Sequence, residues 1–179
     1  MNLTEIIPDI YQPTVYDIDY PKLHSNGIKY AVFDVDCTIL SFDNTEVTEE
    51  LIELFSKIKQ TGITPGLCSS GGYKRVKPVA EKLNIKFIAN AGKPFKGNFK
   101  LIKDNLFDSK CTPKNTMMVG DSLYLDMIFA QRLGLYKVMV DPIDDEKGDR
   151  TKTFANEFVQ TSVYALLPKG SLKKGKYYS

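Results

Sequence analysis

The feature that most constrains the fold is a repeated alternation of short apolar runs with amphipathic segments. The run Ile28–Asp34 follows a glycine and is typical of a buried strand. Thr48–Gln60 then carries apolar residues at helical spacing, with acidic residues early and lysines late, as the helix dipole favours. Strands are also predicted at residues 63–68, 86–89, 116–119 and 136–140, and helices at residues 73–83, 99–107, 123–133 and 152–167. This alternation predicts an α/β fold with a parallel sheet.

Two segments depart from the simple pattern. Pro65 and Gly66 fit poorly in a central strand, so the second strand is expected to be short or distorted. Pro78 is expected to kink the helix at residues 73–83 or to delay its start.

The chain is predicted to be one domain, residues 1–167, followed by a basic tail, residues 168–179. Its 179 residues fit one domain, and 42% hydrophobic with 26% charged residues is typical of soluble globular proteins. The net charge is +2, yet the tail alone contributes +4 through four lysines, so the remainder sums to −2. The tail is expected to be disordered, with peripheral contact to an anionic membrane as the open alternative.

Composition also limits the partners and the compartment. A body of slightly negative charge does not favour nucleic acid as a partner. Three cysteines lack metal-ligand spacing, so zinc is not expected and a reducing cytoplasm is the predicted location. Apolar runs stay well short of the roughly 18 residues that a membrane span requires.

Polar residues follow four of the predicted strands, at the point where each strand ends. In chain order they are Asp34 and Asp36, Ser69 and Ser70, Lys93, and Asp121 with Asp126 one helical turn later. The carboxyl ends of parallel strands share one edge of the sheet, where ligands bind. Each residue alone could be a turn or capping residue, but the same polar rim after four successive strands indicates one functional site.

The chemistry of this rim points to a metal and a phosphate. Carboxylates that converge repel one another, and a divalent cation relieves the repulsion; Mg²⁺ suits carboxylate, carbonyl and water oxygens. Phosphate oxygens can complete the metal shell, and Lys93 supplies a second positive charge. The hydroxyl of Ser69 and the loop amides near Gly71 and Gly72 can donate hydrogen bonds to a phosphoryl group.

The motifs resemble those of the haloacid dehalogenase (HAD) superfamily. DVDCT at residues 34–38, the strand ending in Ser69, Lys93, and GDSLYLD at residues 120–126 match its four motifs in order and spacing. The sequence is most similar to subfamily IIIA and its YqeG-type proteins, whose relatives include phosphatidylglycerophosphatases. The likeness extends over roughly Ile6 to Ile143 and includes KRV at residues 74–76, GKP at 92–94 and QRLG at 131–134.

The resemblance implies a fold and a reaction. The fold would be a three-layer, Rossmann-like core with a central parallel sheet of about five strands and no cap domain. The reaction would be Mg²⁺-dependent hydrolysis of a phosphomonoester through an aspartyl-phosphate. Asp34 would be the nucleophile, Asp36 the general acid and then base, and Lys93 would screen charge between the nucleophile and the phosphate.

The remaining site residues follow from the same motifs. The metal would be held by Asp34, by Asp36 through its backbone carbonyl, by Asp121 and by Asp126. Ser69, Ser70 and Thr38 would form the substrate-binding part, with Thr38 steadying the loop. Cys37 departs from the family, which usually has asparagine there, and Ser70 and Gly71 replace frequent asparagines.

The gaps between motifs bear on the substrate. Residues 40–63 and 71–92 each hold a single predicted helix, too little for a lid, and an open site selects small substrates poorly. We therefore expect a phosphate on a large or interfacial carrier. A lipid head group, a protein or a small phosphoester are the partners considered, and phosphatidylglycerophosphate is the best single candidate by resemblance.

Two other functions remain open. One is a receiver-like module that uses a phosphorylated aspartate as a switch, and the other is a catalytically weak or idle scaffold. An acid–base residue two positions after the nucleophile argues against a switch, because it would speed hydrolysis of the phosphoaspartate. The complete set of motif residues argues against an idle scaffold, although Cys37 and the SSGG loop leave room for it.

Overall fold

A computed structural model describes residues 3–44, 46–95, 97–143 and 161–177. Its strands are β1 (Ile10–Gln12), β2 (Tyr30–Phe33), β3 (Thr64–Cys68), β4 (Lys86–Ile88), β5 (Thr116–Gly120), β6 (Tyr136–Val140) and β7 (Lys176–Tyr177). Its helices are α1 (Tyr20–Ser25), α2 (Glu49–Gln60), α3 (Tyr73–Leu83), α4 (Phe99–Leu106) and α5 (Ile128–Leu133). Short 3₁₀ turns lie at Leu3–Ile6, Val15–Asp17 and Pro113–Asn115, a π-helix lies at Leu123–Met127, and residues 161–166 are helical.

The strands form one sheet in the order β4-β3-β2-β5-β6-β1-β7. The first six are parallel to their neighbours, and only β7 runs antiparallel, against β1. The predicted parallel α/β architecture is therefore confirmed, with β2 near the centre between β3 and β5. The five predicted strands correspond to β2 to β6. The expectation of about five strands missed β1 and β7, which have only three and two residues and so carry no readable periodicity.

Helices cover both faces of the sheet, as the alternation of β2 shows. Ala31 and Phe33 lie in a core cluster with buried residues of α1, α2 and α3. Tyr30 and Val32 lie in a second cluster with buried residues of α4 and α5. Successive side chains of a strand point to opposite faces, so these two clusters are the two interfaces of the predicted three-layer sandwich.

Strand β3 does not show the predicted weakness. It is five residues long and pairs with β2 on one side and β4 on the other, although it contains Pro65 and Gly66. Gly66 has a packing reason, because a Cβ there would lie 3.3 Å from Leu106 of α4. The missing side chain allows α4 to approach the sheet closely, and tertiary packing overrides the local preference.

Two helices also refine the predictions. α3 runs without a break from Tyr73 through Pro78 to Leu83, so the proline does not delay its start. The predicted helix after Ser122 begins as the π-helix and becomes α-helical only at Ile128, ending before Gly134 as predicted. π-helical turns are rare and occur often at functional sites.

The connections that could hold a cap are short. Between β2 and β3 the described residues contain one helix, α2, and between β3 and β4 they contain one helix, α3. As far as these segments are described, neither builds a second layer over the carboxyl edge of the sheet. Within the described ranges, no helix combines the length and the apolar character that a bilayer span demands.

The C-terminal region differs from its prediction. Lys176–Tyr177 pairs with β1, and the amide of Gly175 donates to the carbonyl of Tyr11 at 2.8 Å, so these tail residues are ordered as an edge strand rather than disordered. Lys174 forms an ion pair with Asp141. Of the helix predicted at residues 152–167, residues 161–166 are helical and residues 152–160 lie outside the described part of the chain.

A pair of leucine substitutions tests the assignment of helix faces. Leu51 on α2 is 1% exposed within the core, whereas Leu101 on α4 is 41% exposed. We expect Leu51→Ala to lower the free energy of unfolding by about 2–5 kcal/mol, because it leaves a cavity, and Leu101→Ala to lower it by less than about 1 kcal/mol. Urea denaturation followed by circular dichroism measures both, and equal losses would contradict the described faces.

Candidate active site

The carboxyl ends of four strands bring the predicted polar residues to one edge of the sheet. Asp34 follows β2, Ser69 follows β3, Lys93 lies five residues after β4, and Asp121 follows β5. The register explains the convergence, because Phe33 pairs with Leu67 on one side and Val119 on the other. The strands therefore end at similar heights, and the residues that follow them meet.

A buried lysine lies at the centre of the site. The ammonium of Lys93 lies 2.9 Å from a carboxylate oxygen of Asp34 and 2.6 Å from one of Asp126. Its side chain is 0% exposed. Burial alone would lower the pKa of Lys93, but the two carboxylates outweigh burial and raise it, so the lysine stays charged. Lys93 thus fixes two carboxylates that are 92 positions apart in the chain.

Three carboxylates form a cluster around one point. Asp34, Asp121 and Asp126 each offer an oxygen, and these oxygens lie within 4.8 Å of one another. Burial, followed by the charges of Asp126 and Asp34, raises the pKa of Asp121. Burial also raises the pKa of Asp126, and Asp34 adds to the rise, although Lys93 opposes it. The cluster therefore carries electrostatic repulsion that a nearby cation would relieve.

This donor set fits a hard divalent cation. All three ligands are carboxylates, and if ionised they carry three negative charges against the single positive charge of Lys93, a deficit that one divalent cation balances. Mg²⁺ prefers carboxylate oxygens of this kind, so Asp34, Asp121 and Asp126 are the residues that would hold it.

A glycine makes room for the third carboxylate. A Cβ on Gly120 would lie 2.3 Å from the carboxyl group of Asp126. The amide of Ser122 donates to Oδ2 of Asp126 at 3.1 Å, while Lys93 contacts Oδ1. The π-helix at Leu123–Met127 carries Asp126 into this position. The GDSLYLD motif is therefore a packing unit in which the glycine and the second aspartate occupy adjoining space.

Thr38 ties the first and fourth motifs together. Its hydroxyl donates to a carboxylate oxygen of Asp121 at 2.8 Å and accepts from the Asp121 amide at 3.1 Å. Thr38 is 1% exposed. Its predicted places, among the substrate-binding residues and in steadying the loop, stay predictions.

Asp36 lies apart from the carboxylate cluster. Arg75 holds its carboxylate, with Nε at 2.9 Å and Nη2 at 2.8 Å from the same oxygen, Oδ1. Burial raises the pKa of Asp36, and Arg75 works in the opposite direction. The side chain of Asp36 is not part of the carboxylate cluster. The resemblance implies that Asp36 would bind a metal through its backbone carbonyl.

The SSGG loop after β3 shapes a small polar space. Ser69 is buried, and its hydroxyl accepts from the amide of Gly71 at 3.0 Å. A Cβ on Gly71 would lie 3.1 Å both from that hydroxyl and from Oδ2 of Asp36. Ser70 is exposed. The structure thus brings Ser69 to the same space as Asp36, while Ser70 lies at the surface.

Cys37 adopts a left-handed backbone, with φ at 61°. Asparagine adopts this conformation more easily than other residues with a side chain. That preference explains why an asparagine is usual at this point of the motif and why cysteine is a departure. Two backbone hydrogen bonds hold Cys37 in this conformation. Its amide donates to the carbonyl of Leu40, and its carbonyl accepts from the amide of Ile143.

Two residues near the site were not predicted as functional. Arg75 was noted only within the KRV resemblance, and its partner Asp36 lies 39 positions earlier. Tyr164 lies on the helical segment 161–166, and burial, followed by the charges of Asp121 and Asp141, raises its pKa to about 12. A signal existed for Arg75, since it lies one turn into a helix that starts at the site edge. None existed for Tyr164, which depends on the placement of the C-terminal segment.

Substitution of Gly120 tests the close packing against Asp126. We expect Gly120→Ala to displace the Asp126 carboxylate, because the new Cβ would overlap it, and thus to weaken Mg²⁺ binding at least tenfold and to lower the melting temperature. The matched control is Gly72→Ala, where the nearest atom is 4.0 Å away. Isothermal titration with Mg²⁺ and a thermal melt measure the two effects. Unchanged Mg²⁺ affinity in Gly120→Ala would contradict the role given to Asp126.

Comparisons with known proteins found a curated relative and a solved structure that are similar to this chain. The chain is 29% identical over 167 residues to the "Probable phosphatase YqeG" of Bacillus subtilis (strain 168), covering 93% of this chain and 95% of that protein. The predicted YqeG-type resemblance is thereby confirmed. A crystal structure of hypothetical protein XCC2798 from Xanthomonas campestris aligns with a TM-score of 0.46 at 14% identity, covering 70% of this chain and 71% of that one.

The family profile described as haloacid dehalogenase-like hydrolase matches residues 11–134. That range is more than half of the chain and contains Asp34, Ser69, Lys93 and Asp121. The match agrees with the order of the motifs and with the parallel sheet. This chain belongs to the haloacid dehalogenase-like hydrolase family.

Proposed function

We propose that this chain is a Mg²⁺-dependent phosphatase that hydrolyses phosphomonoesters through a phosphoryl group carried on Asp34. The observation that carries the proposal is the buried arrangement of Lys93 against Asp34 and Asp126, beside the carboxylate of Asp121. An enzyme that transfers a phosphoryl group needs charge neutralisation and alignment above all. The charged groups that would supply both lie together at the carboxyl edge of the sheet.

The residues divide the reaction into two displacements. In the first, a carboxylate oxygen of Asp34 attacks phosphorus, the ester P–O bond breaks, and Asp36 gives a proton to the departing oxygen. In the second, a water oxygen attacks phosphorus, Asp36 accepts its proton, and the bond from Asp34 to phosphorus breaks. A carboxylate nucleophile turns one difficult displacement into two easier ones, and one residue serves as acid and then base.

Other groups bind the phosphoryl oxygens and the metal. Lys93 screens the charge between Asp34 and the incoming phosphate. The oxygen of the Ser69 hydroxyl accepts from the Gly71 amide, so its proton can be donated to a phosphoryl oxygen. Mg²⁺, held by Asp34, Asp121, Asp126 and the backbone carbonyl of Asp36, would neutralise charge on the phosphoryl oxygens. Thr38 keeps Asp121 in place for that role.

The open edge of the site favours a phosphate on a bulky carrier. The segments that would build a lid each hold one helix among the described residues, and lids supply selectivity for small substrates. Phe42 and Phe95, on loops that follow β2 and β4, are 41% and 63% exposed. A phosphorylated lipid head group such as phosphatidylglycerophosphate is the candidate that combines a terminal phosphate with an apolar carrier.

We expect the basic tail to contribute less to any membrane contact than its four lysines alone indicate. Lys174 pairs with Asp141, so its charge is already balanced within the protein. Lys169 and Lys173 are exposed. Each lysine near an anionic surface contributes about 1 kcal/mol, so these two could assist binding to a membrane without anchoring the protein.

The first experiment tests the reaction itself. We expect purified protein to release phosphate from p-nitrophenyl phosphate with Mg²⁺. EDTA should stop the release, and Asp34→Asn should lower it by at least about 10³-fold, because the nucleophile is lost. Asp104→Asn, an exposed carboxylate of α4, is the matched control and should retain activity. Stable stoichiometric phosphorylation without turnover would instead indicate a switch module, and no release from any phosphoester an idle scaffold.

The second experiment tests the carrier. We expect kcat/KM for phosphatidylglycerophosphate in mixed micelles to exceed that for glycerol 3-phosphate at least tenfold. The reason is that the exposed rings of Phe42 and Phe95 would contact the lipid but not the small soluble ester. Phe42→Ser and Phe95→Ser should reduce that ratio while leaving turnover of glycerol 3-phosphate unchanged. Good turnover of soluble esters with no release from the lipid would contradict the interfacial part of the proposal alone.

A further inference from the structure

The guanidinium of Arg75 connects the loop after β2 to the carboxylate of Asp36. Nη1 donates to the carbonyl of Asn44 at 2.6 Å, and Nη2 donates to the carbonyl of Ser41 at 2.8 Å. Nε and Nη2 also contact Oδ1 of Asp36 at 2.9 and 2.8 Å. The side chain of Arg75 is 18% exposed. One group near the mouth of the site thus joins three separate acceptors.

We propose that Arg75 is a positioning residue for proton transfer, an inference that rests on the phosphatase function proposed above. Both contacts to Asp36 fall on Oδ1 and leave Oδ2 without a contact to the guanidinium. Two guanidinium nitrogens that converge on one oxygen hold Oδ1 in place with charge-assisted hydrogen bonds. Arg75 therefore sets which oxygen of Asp36 is available for chemistry.

The available oxygen faces the phosphoryl-binding space. A Cβ placed on Gly71 would lie 3.1 Å from Oδ2 of Asp36 and 3.1 Å from the hydroxyl of Ser69. Oδ2 and the Ser69 hydroxyl therefore border the same small volume, which the absent side chain of Gly71 leaves open. In the proposed reaction, Oδ2 would therefore be the oxygen that gives a proton to the departing ester oxygen and later accepts one from the attacking water.

The contacts to the loop add a second constraint. Residues 41–44 include Phe42, which is 41% exposed, and both carbonyls that Arg75 binds belong to this loop. Arg75 itself lies on α3, which is anchored in the core through Val76 and Val79. The loop, the proton donor and the helix are thereby held in one fixed arrangement, so the geometry of Asp36 does not depend on its own backbone alone.

A purely structural role predicts a different pattern of damage. If Arg75 only fastened the loop, its loss would lower stability and would slow every substrate to a similar degree. If it orients Asp36, its loss slows the steps in which a proton moves. Formation of the phosphoryl-enzyme from an aryl ester needs little help from an acid, because the departing phenolate is stable, whereas an alkyl leaving group and the hydrolysis of the phosphoryl-enzyme both need Asp36.

Pre-steady-state kinetics separate these steps. We expect Arg75→Gln to retain the burst of p-nitrophenolate within about tenfold of wild type, while steady-state turnover falls about 10²-fold and phosphoryl-enzyme accumulates. Turnover of glycerol 3-phosphate should fall at least as far and show no burst. Arg75→Lys should recover little, because it lacks the planar donor pair, and guanidinium ion added to Arg75→Ala should restore part of the turnover.

The controls separate this inference from the proposed function. Lys77→Gln removes an exposed cation of the same helix, which pairs with Glu81, and should leave burst and turnover unchanged. Thermal melts verify that each variant is folded. Equal slowing of the burst and of turnover, or full activity in Arg75→Gln, would overturn the positioning role while wild-type phosphatase activity stands. Absence of Mg²⁺-dependent phosphate release by wild type would overturn the proposed function, and the role of Arg75 with it.

Discussion

One buried ammonium group surrounded by carboxylates is the interaction on which the rest of the site depends. Lys93 contacts Asp34 and Asp126 with no exposed side-chain surface, and leaving either carboxylate unpaired would place an uncompensated charge in the interior. β2 and the π-helix after β5 must therefore place these two carboxylates within reach of the Lys93 Nζ atom. A divalent cation bound beside Asp121 would complete the same balance of charge.

The sheet creates the setting for this interaction. Because β2 lies between β3 and β5 with parallel register, the residues after three strands reach a common edge without long loops. Two glycines then permit contacts that a side chain would block, Gly120 against Asp126 and Gly71 against Asp36 and Ser69. The glycines of the motifs are therefore needed for the space they leave, as the aspartates are needed for their carboxylates.

The sequence predicted the elements with strong local signals. Strands β2 to β6 and helices α2, α3 and α4 lie within one or two residues of their predicted bounds, because periodicity and caps are local properties. The regular pairing of β3 across Pro65 was not predictable, since it is decided by the two neighbouring strands. The two-residue strand β7 was missed for a related reason, as its partner β1 lies at the other end of the chain.

The features of the site also divide into those that the sequence predicted and those that it did not. The strand-end rule placed Asp34, Ser69, Lys93 and Asp121 at one edge, and Asp126 joined them through the helix that follows. The contact of Arg75 with Asp36 was beyond the sequence, because it joins a helix and a loop that only the tertiary fold brings together. The exposed position of Ser70 was equally hidden, since a two-serine run does not reveal which hydroxyl turns inward.

The pairing of β7 with β1 has a consequence for solubility. An unpaired outer strand offers free amides and carbonyls on which another molecule can add a strand of its own. Here Lys176–Tyr177 pairs with Ile10 and Tyr11 of β1, and the Gly175 amide donates one more hydrogen bond to the carbonyl of Tyr11. Residues 175–177 thus cover part of the edge of β1, and removing them would expose that edge to the addition of a strand from another molecule.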